Sequence, residues 1–175
     1  MGSGERPSAR KPEWLKQRLP SGSNLLRTQH LLSTHSLHTV CQEALCPNRP
    51  QCFHRGTATF LLLGTRCTRS CRFCAVNHGC PDPPDPREPD RIVAAVREMK
   101  ISFVVLTSVT RDDLPDGGAS QFRRTVEALR SAVPGIQVEA LVPDFQGSNS
   151  ALREVLASGI CVFTNSNLTI EELHA

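Results

Sequence analysis

The chain reads as an α/β protein whose parallel sheet forms part of a TIM-like (β/α) barrel. Three observations predict this. Short apolar runs bounded by turn residues recur at 57–64, 101–108, 136–143 and 160–163. Stretches with helical apolar spacing separate them, which implies βαβ units and a parallel sheet. Polar residues gather just after each run, where a barrel places its chemistry. No Gly-rich dinucleotide fingerprint follows the first run, which weighs against a Rossmann fold.

The elements follow in order. Residues 1–23 read as an irregular arm, with one short helical turn in "PEWLKQRL" docked by Trp14 and Leu15. A weakly helical stretch spans Leu25 to Leu32. The segment "HTVCQEALCPNRPQCFHRG" is cysteine-bearing and lacks periodicity. "TATFLLLG" (57–64) is a bounded apolar run and reads as a buried strand. A Pro-rich loop at 81–89 leads to a helix from about Glu88. Pro89 suits its first turn, and Ile92, Val93, Val96 and Met99 form its stripe. "ISFVVLTS" (101–108) is a second buried strand, followed by the polar loop "VTRDDLPDGG". Phe122, Val126 and Leu129 mark a helix. "IQVEALVP" is a third strand, stopped by Pro143. "DFQGSNS" offers Ser or Asn as an N-cap, and Leu152, Val155 and Leu156 stripe the next helix. "ICVF" opens a fourth strand. The predicted organisation is an N-terminal arm (1–36), a cysteine-bearing segment (37–56) and a barrel-type domain (57–175).

Length and charge bound the function. The 175 residues suffice for one domain with a real core. A formal charge of +3 is too mild to argue for nucleic acid as partner. No apolar run approaches the roughly 18 residues of a membrane span. No apolar h-region marks a secretory signal, and Pro7, Pro12 and Pro20 interrupt any long amphipathic transit helix. The expected location is the bacterial cytoplasm, with the mitochondrial matrix as the alternative. In such a reducing compartment clustered cysteines bind metal more often than they pair.

Eight cysteines are present, six of them in two triplets: Cys41, Cys46, Cys52 and Cys67, Cys71, Cys74. The second has C-x3-C-x2-C spacing. A 4Fe–4S cube has four irons, usually all thiolate-ligated. Three cysteines leave one iron open for a small molecule. Zinc is the competing reading, since His78 or Cys80 could complete a tetrahedral set beside Cys74. Phe73 reads either as a cofactor contact or as a loop residue packing into the core. Cys80 and Cys161 match neither triplet and read as free or incidental.

C67-T-R-S-C71-R-F-C74 resembles the cluster motif of radical S-adenosylmethionine enzymes. C41-x4-C46-x5-C52 is similar to the auxiliary-cluster motif of the lipoyl synthase family. "RGTATFLLLG", "CRFCAV", "TSVTRDDLPDGGASQF" and "PDFQG" resemble stretches of that family in the same order. The likeness runs from about Lys11 to Gly159. It implies two 4Fe–4S clusters, with the one on Cys67, Cys71 and Cys74 binding S-adenosylmethionine at its open iron. Reductive cleavage would give a 5′-deoxyadenosyl radical that abstracts hydrogen from C6 and C8 of an octanoyl chain on a lipoyl carrier domain. The cluster on Cys41, Cys46 and Cys52 would supply the two sulfurs. The cofactors carry this step because acid–base groups cannot attack unactivated C–H bonds. By the same pattern Phe73 flanks the adenine, and Thr107 and Ser108 hold the methionine end; strand-end capping is their ordinary alternative role. The implied partners are the octanoylated carrier domain and an electron donor such as ferredoxin or flavodoxin, with no nucleic acid and no membrane.

The chain departs from the family in three places. Thr65-Arg66 stands where members show Asp-Thr. "TNSNL" puts Ser166 where a histidine is expected. Four strands do not close a barrel, which takes roughly 200 residues or more, and the auxiliary cluster's C-terminal serine ligand has no counterpart. The expectation is therefore a truncated copy, about the first half of a radical S-adenosylmethionine barrel, that does not complete turnover alone. A non-catalytic zinc or iron–sulfur module, and another radical S-adenosylmethionine sulfurtransferase, are the rival functions.

Overall fold

The computed structural model describes residues 23–165. The helical turn expected around Trp14 and the Ser166 departure lie outside the described residues.

Four parallel strands form the sheet: β2 (Thr59–Leu62), β3 (Phe103–Ser108), β4 (Gln137–Val142) and β5 (Val162–Asn165). A two-residue strand, β1 (His38–Thr39), adds antiparallel to the outer edge of β2. The order is β1-β2-β3-β4-β5. Each parallel strand therefore lies beside its predecessor, with a helix crossing over between them: α4 (Glu88–Met99), α5 (Ala119–Ala132) and α6 (Asn149–Ala157). Such a sequential order winds in one direction, as a barrel does; a doubly wound sheet reverses. The molecule has the α/β architecture of a partial (β/α) barrel.

The core lies between the sheet and these helices. Phe60, Leu62, Val104, Leu106, Val138, Ala140 and Val142 alternate along the strands, all nearly fully buried. They belong to one cluster with Ile92, Val96, Phe122, Val126, Leu129 and Val155. Burying each large side chain contributes roughly 1.5–3 kcal/mol. The other sheet face is different. Phe103, Leu141 and Val162 remain exposed there, and Thr59, Val105 and Glu139 half-buried. The strand at 101–108, expected to be buried, is thus buried on one side. Its apolar run conceals a period-2 pattern, because the barrel's inner face also carries Val and Phe.

The helices begin as the residues dictate. Pro89 sits in the first turn of α4 with Glu88 and Asp90, where acids complement the helix dipole. Ser148 caps α6, its Oγ accepting from Ala151 N–H at 3.3 Å. Helix α1 (Ser23–Thr34) buries Leu31 and Leu32 and is tied to α3 (Arg49–His54) by Thr28 Oγ1, which donates to Phe53 O at 2.9 Å. The aperiodic segment after α1 holds β1, α2 (Val40–Glu43) and α3. Helices of 4 and 6 residues are too short to show a period.

Candidate iron–sulfur site at the strand ends

Strand β2 ends in a left-handed pair, Leu63 at φ 68° and Gly64 at φ 88°. Two buried ionisable groups hold this turn. Leu63 N–H donates to both Glu88 carboxylate oxygens at 3.1 and 3.2 Å. Arg111, 2% exposed, donates to Leu63 O at 3.4 Å and is paired with Asp113 through two contacts of 2.8 Å. The chain leaves this turn as the cysteine loop.

The loop closes on itself. Cys67 N–H donates to Asn77 O at 2.8 Å and Gly79 N–H to Cys67 O at 3.0 Å. Cys74 N–H donates to Cys71 O at 3.0 Å. Arg69 N–H points to Cys67 Sγ at 3.4 Å. Cys67, Cys71 and Cys74 all line one cavity of about 240 Å³, together with Leu61, Arg69, Phe73 and Val76. The ends of β3 and β4 add Ser108, Val109, Thr110, Pro143 and Asp144 to the lining. Val40 of α2 reaches the same space.

The predicted site residues separate as follows. Phe73 is 68% exposed beside two of the cysteines, so it does not pack into the core. Ser108 lines the cavity, and its Oγ is buried with no hydrogen-bond partner among the described residues. Thr107 is buried one residue earlier and lies outside the lining. Cys41 sits on α2, Cys46 on the following turn and Cys52 on α3. Cys46 N–H donates to Cys41 O at 3.2 Å, and Cys41 and Cys52 pack against the core. Cys80 and Cys161 are exposed and free. Arg66 is exposed and turns to Cys80 O at 3.5 Å.

Burial and the neighbouring Cys67 and Cys74 push the Cys71 thiol above its usual value. Metal binding would therefore release its proton. Among the described residues no three Cys, His, Asp or Glu side chains are placed to hold one metal ion. The three thiols instead border a cavity, which suits a cube with several irons. The unpartnered buried hydroxyl of Ser108, a residue of the same lining, also fits a site that takes a polar ligand.

Sequence reasoning missed Arg69. Its guanidinium donates to Asp112 at 2.7 and 2.8 Å and to Asp144 at 2.8 and 2.9 Å. Both carboxyls are held below the usual range, first by Arg69. Beside it Thr68 Oγ1 donates to Thr110 O at 3.0 Å and accepts Asp112 N–H at 3.1 Å. The available signal was a basic residue inside the cysteine loop and an aspartate after each of two strands.

Residues 61–172 match the radical SAM superfamily, and the chain belongs to it. Residues 2–46 match the N-terminal domain of lipoyl synthase of the radical SAM family. The chain is 51% identical over 171 residues to a lipoyl synthase of Pelodictyon phaeoclathratiforme, covering 97% of this chain and 58% of that protein. Against lipoyl synthases of Roseiflexus sp. and Chlorobaculum tepidum the identities are 51% over 165 residues and 55% over 148. These alignments cover 94% and 84% of this chain, and 55% and 51% of those relatives. The chain thus spans a little over half the length of the curated relatives it matches.

Proposed function

We propose that the chain carries the cofactor-binding part of a lipoyl synthase, inserting sulfur at C6 and C8 of a protein-bound octanoyl group. The observation that carries this reading is the pair of cysteine triplets, the later one lining the cavity that Ser108 and Phe73 share. In this reading Cys67, Cys71 and Cys74 hold a 4Fe–4S cluster with one open iron, and Cys41, Cys46 and Cys52 hold the auxiliary cluster. A cluster held by Cys67, Cys71 and Cys74 would supply one-electron reduction of S-adenosylmethionine, the electron coming from the external reductant.

The chain's own residues position and shield. Ser108 Oγ offers a hydrogen bond to the polar end of the cofactor. Thr107, behind it on β3, sets the strand end. Phe73 presents an aromatic face for the adenine. Leu61, Val76 and Val109 keep the cavity apolar, which limits water near a radical. The substrate is an octanoylated lipoyl carrier domain, and the reductant a protein such as ferredoxin or flavodoxin. Among the described residues no helix is long and apolar enough to cross a membrane. Its eight free cysteines suit the reducing bacterial cytoplasm.

Deuterium transfer tests the reading. The anaerobically iron-loaded chain is mixed with reductant, S-adenosylmethionine and a peptide bearing octanoyl-lysine deuterated at C6 and C8. Deuterium in 5′-deoxyadenosine is expected. Cleavage without deuterium incorporation would assign another substrate, and zinc retention with no cleavage would leave only a binding module.

A further inference from the structure

We infer that Arg69 is a positioning residue, a latch that fixes the cysteine loop against the ends of β3 and β4. The inference rests on the cluster-binding reading of Cys67, Cys71 and Cys74. Arg69 lies midway between the first two of these cysteines. Its four hydrogen bonds reach Asp112, beyond β3, and Asp144, beyond β4. The three side chains are 16, 29 and 26% exposed, so water competes weakly for them.

The network extends past the ion pairs. Gln146 Nε2 donates to Asp112 Oδ1 at 2.9 Å, and Gln146 N–H to Asp144 Oδ1 at 3.0 Å. Phe145 and Gln146 have φ of 47° and 52°, conformations that need an external hold. One guanidinium therefore ties together the cysteine loop, the Thr110–Asp112 turn and a strained turn after β4. Arg69, Thr110 and Asp144 line the same cavity as the cysteines. Moving the latch would change the distance across that cavity.

The obvious alternative is a counter-charge for an anionic cluster. The charges argue against it. Two carboxylates face one guanidinium, so the group as a whole is negative. A planar fork that bonds two carboxylates at once is a geometric device, and lysine cannot reproduce it. This difference separates the two roles.

The test uses the 175-residue chain and the substitutions Arg69→Lys, Arg69→Gln and Asp144→Asn, with Arg123→Gln as control. Arg123 pairs with Glu127 and Glu154 on the helical side, away from the cavity. Hydrogen exchange of residues 66–79 is measured in the metal-free chain. Removing a charge-assisted pair is worth at least about tenfold in a local opening equilibrium. Exchange is expected to rise by that factor or more in both Arg69 variants and less in Asp144→Asn, which keeps the Asp112 half. The control should match the unaltered chain. The second reading is the EPR spectrum of the reduced cluster, normalised to cluster content, during titration with S-adenosylmethionine. Both Arg69 variants should need at least about tenfold more of it. The inference fails if Arg69→Lys matches the unaltered chain, or if exchange rises with no change in the titration. Should the Arg69 variants not fold, Asp144→Asn alone decides by the same two readings. An unaltered chain whose cluster ignores S-adenosylmethionine would instead overturn the cluster reading, and the exchange data would still report on the latch.

Discussion

Gly118 shows how tightly single residues set this site. It caps α5 at φ 91°, and a Cβ there would stand 2.2 Å from Leu63 Cδ1. Leu63 cannot retreat easily, being buried and itself left-handed. Gly118→Ala therefore combines backbone strain with overpacking and should cost roughly 2–4 kcal/mol. Thermal unfolding followed by circular dichroism should show a drop of roughly 5–15 °C. An unchanged midpoint would mean that the Leu63 turn is not rigid. The same scale explains what the sequence could reveal. Ser148 as a cap and the spacing of Cys67, Cys71 and Cys74 are local patterns, legible in a few residues. The roles of Arg69 are not, because its partners lie 43 and 75 positions away. Arg111 is half legible: Asp113 is two residues on, but Leu63 is 48 residues back.

Among the elements, strand–helix alternation was readable because β3, β4 and α4 to α6 bury one periodic face each, and β2 is a bounded apolar run. The 37–56 segment was not, since its helices span about one turn and its strand two residues. The junction of β2, α4 and α5 carries a pH-sensitive element. Burial pushes the Glu88 carboxyl up, against the pull of its donors Gln121 and Leu63. A raised folded-state value means that the acid favours folding most when protonated. Its contribution is fully present below the ordinary glutamate value of about 4.3 and is lost as pH rises through the raised one. Glu88→Gln does not titrate there. Urea unfolding of both chains between pH 4 and 8 should show the original losing ground to the Gln variant as pH rises. A difference independent of pH would contradict this account of Glu88.

For the whole molecule, the sequential strand order places the C-terminal ends of β2, β3 and β4 at one end, where Cys67, Cys71, Cys74, Ser108 and Asp144 lie. Fold and site are thereby one arrangement: the sheet brings together residues that the chain separates. On the other sheet face Phe103, Leu141 and Val162 remain exposed. The central claim is that the two triplets each hold an iron–sulfur cube and that the later cube takes S-adenosylmethionine. Mössbauer and EPR spectroscopy of the anaerobically loaded chain, with and without S-adenosylmethionine, test it most directly. The account predicts about eight irons per chain in two cubes, one of which changes its signal with S-adenosylmethionine and disappears in Cys71→Ala. Iron-loaded protein with no cube signal, or with cubes indifferent to S-adenosylmethionine, would contradict it.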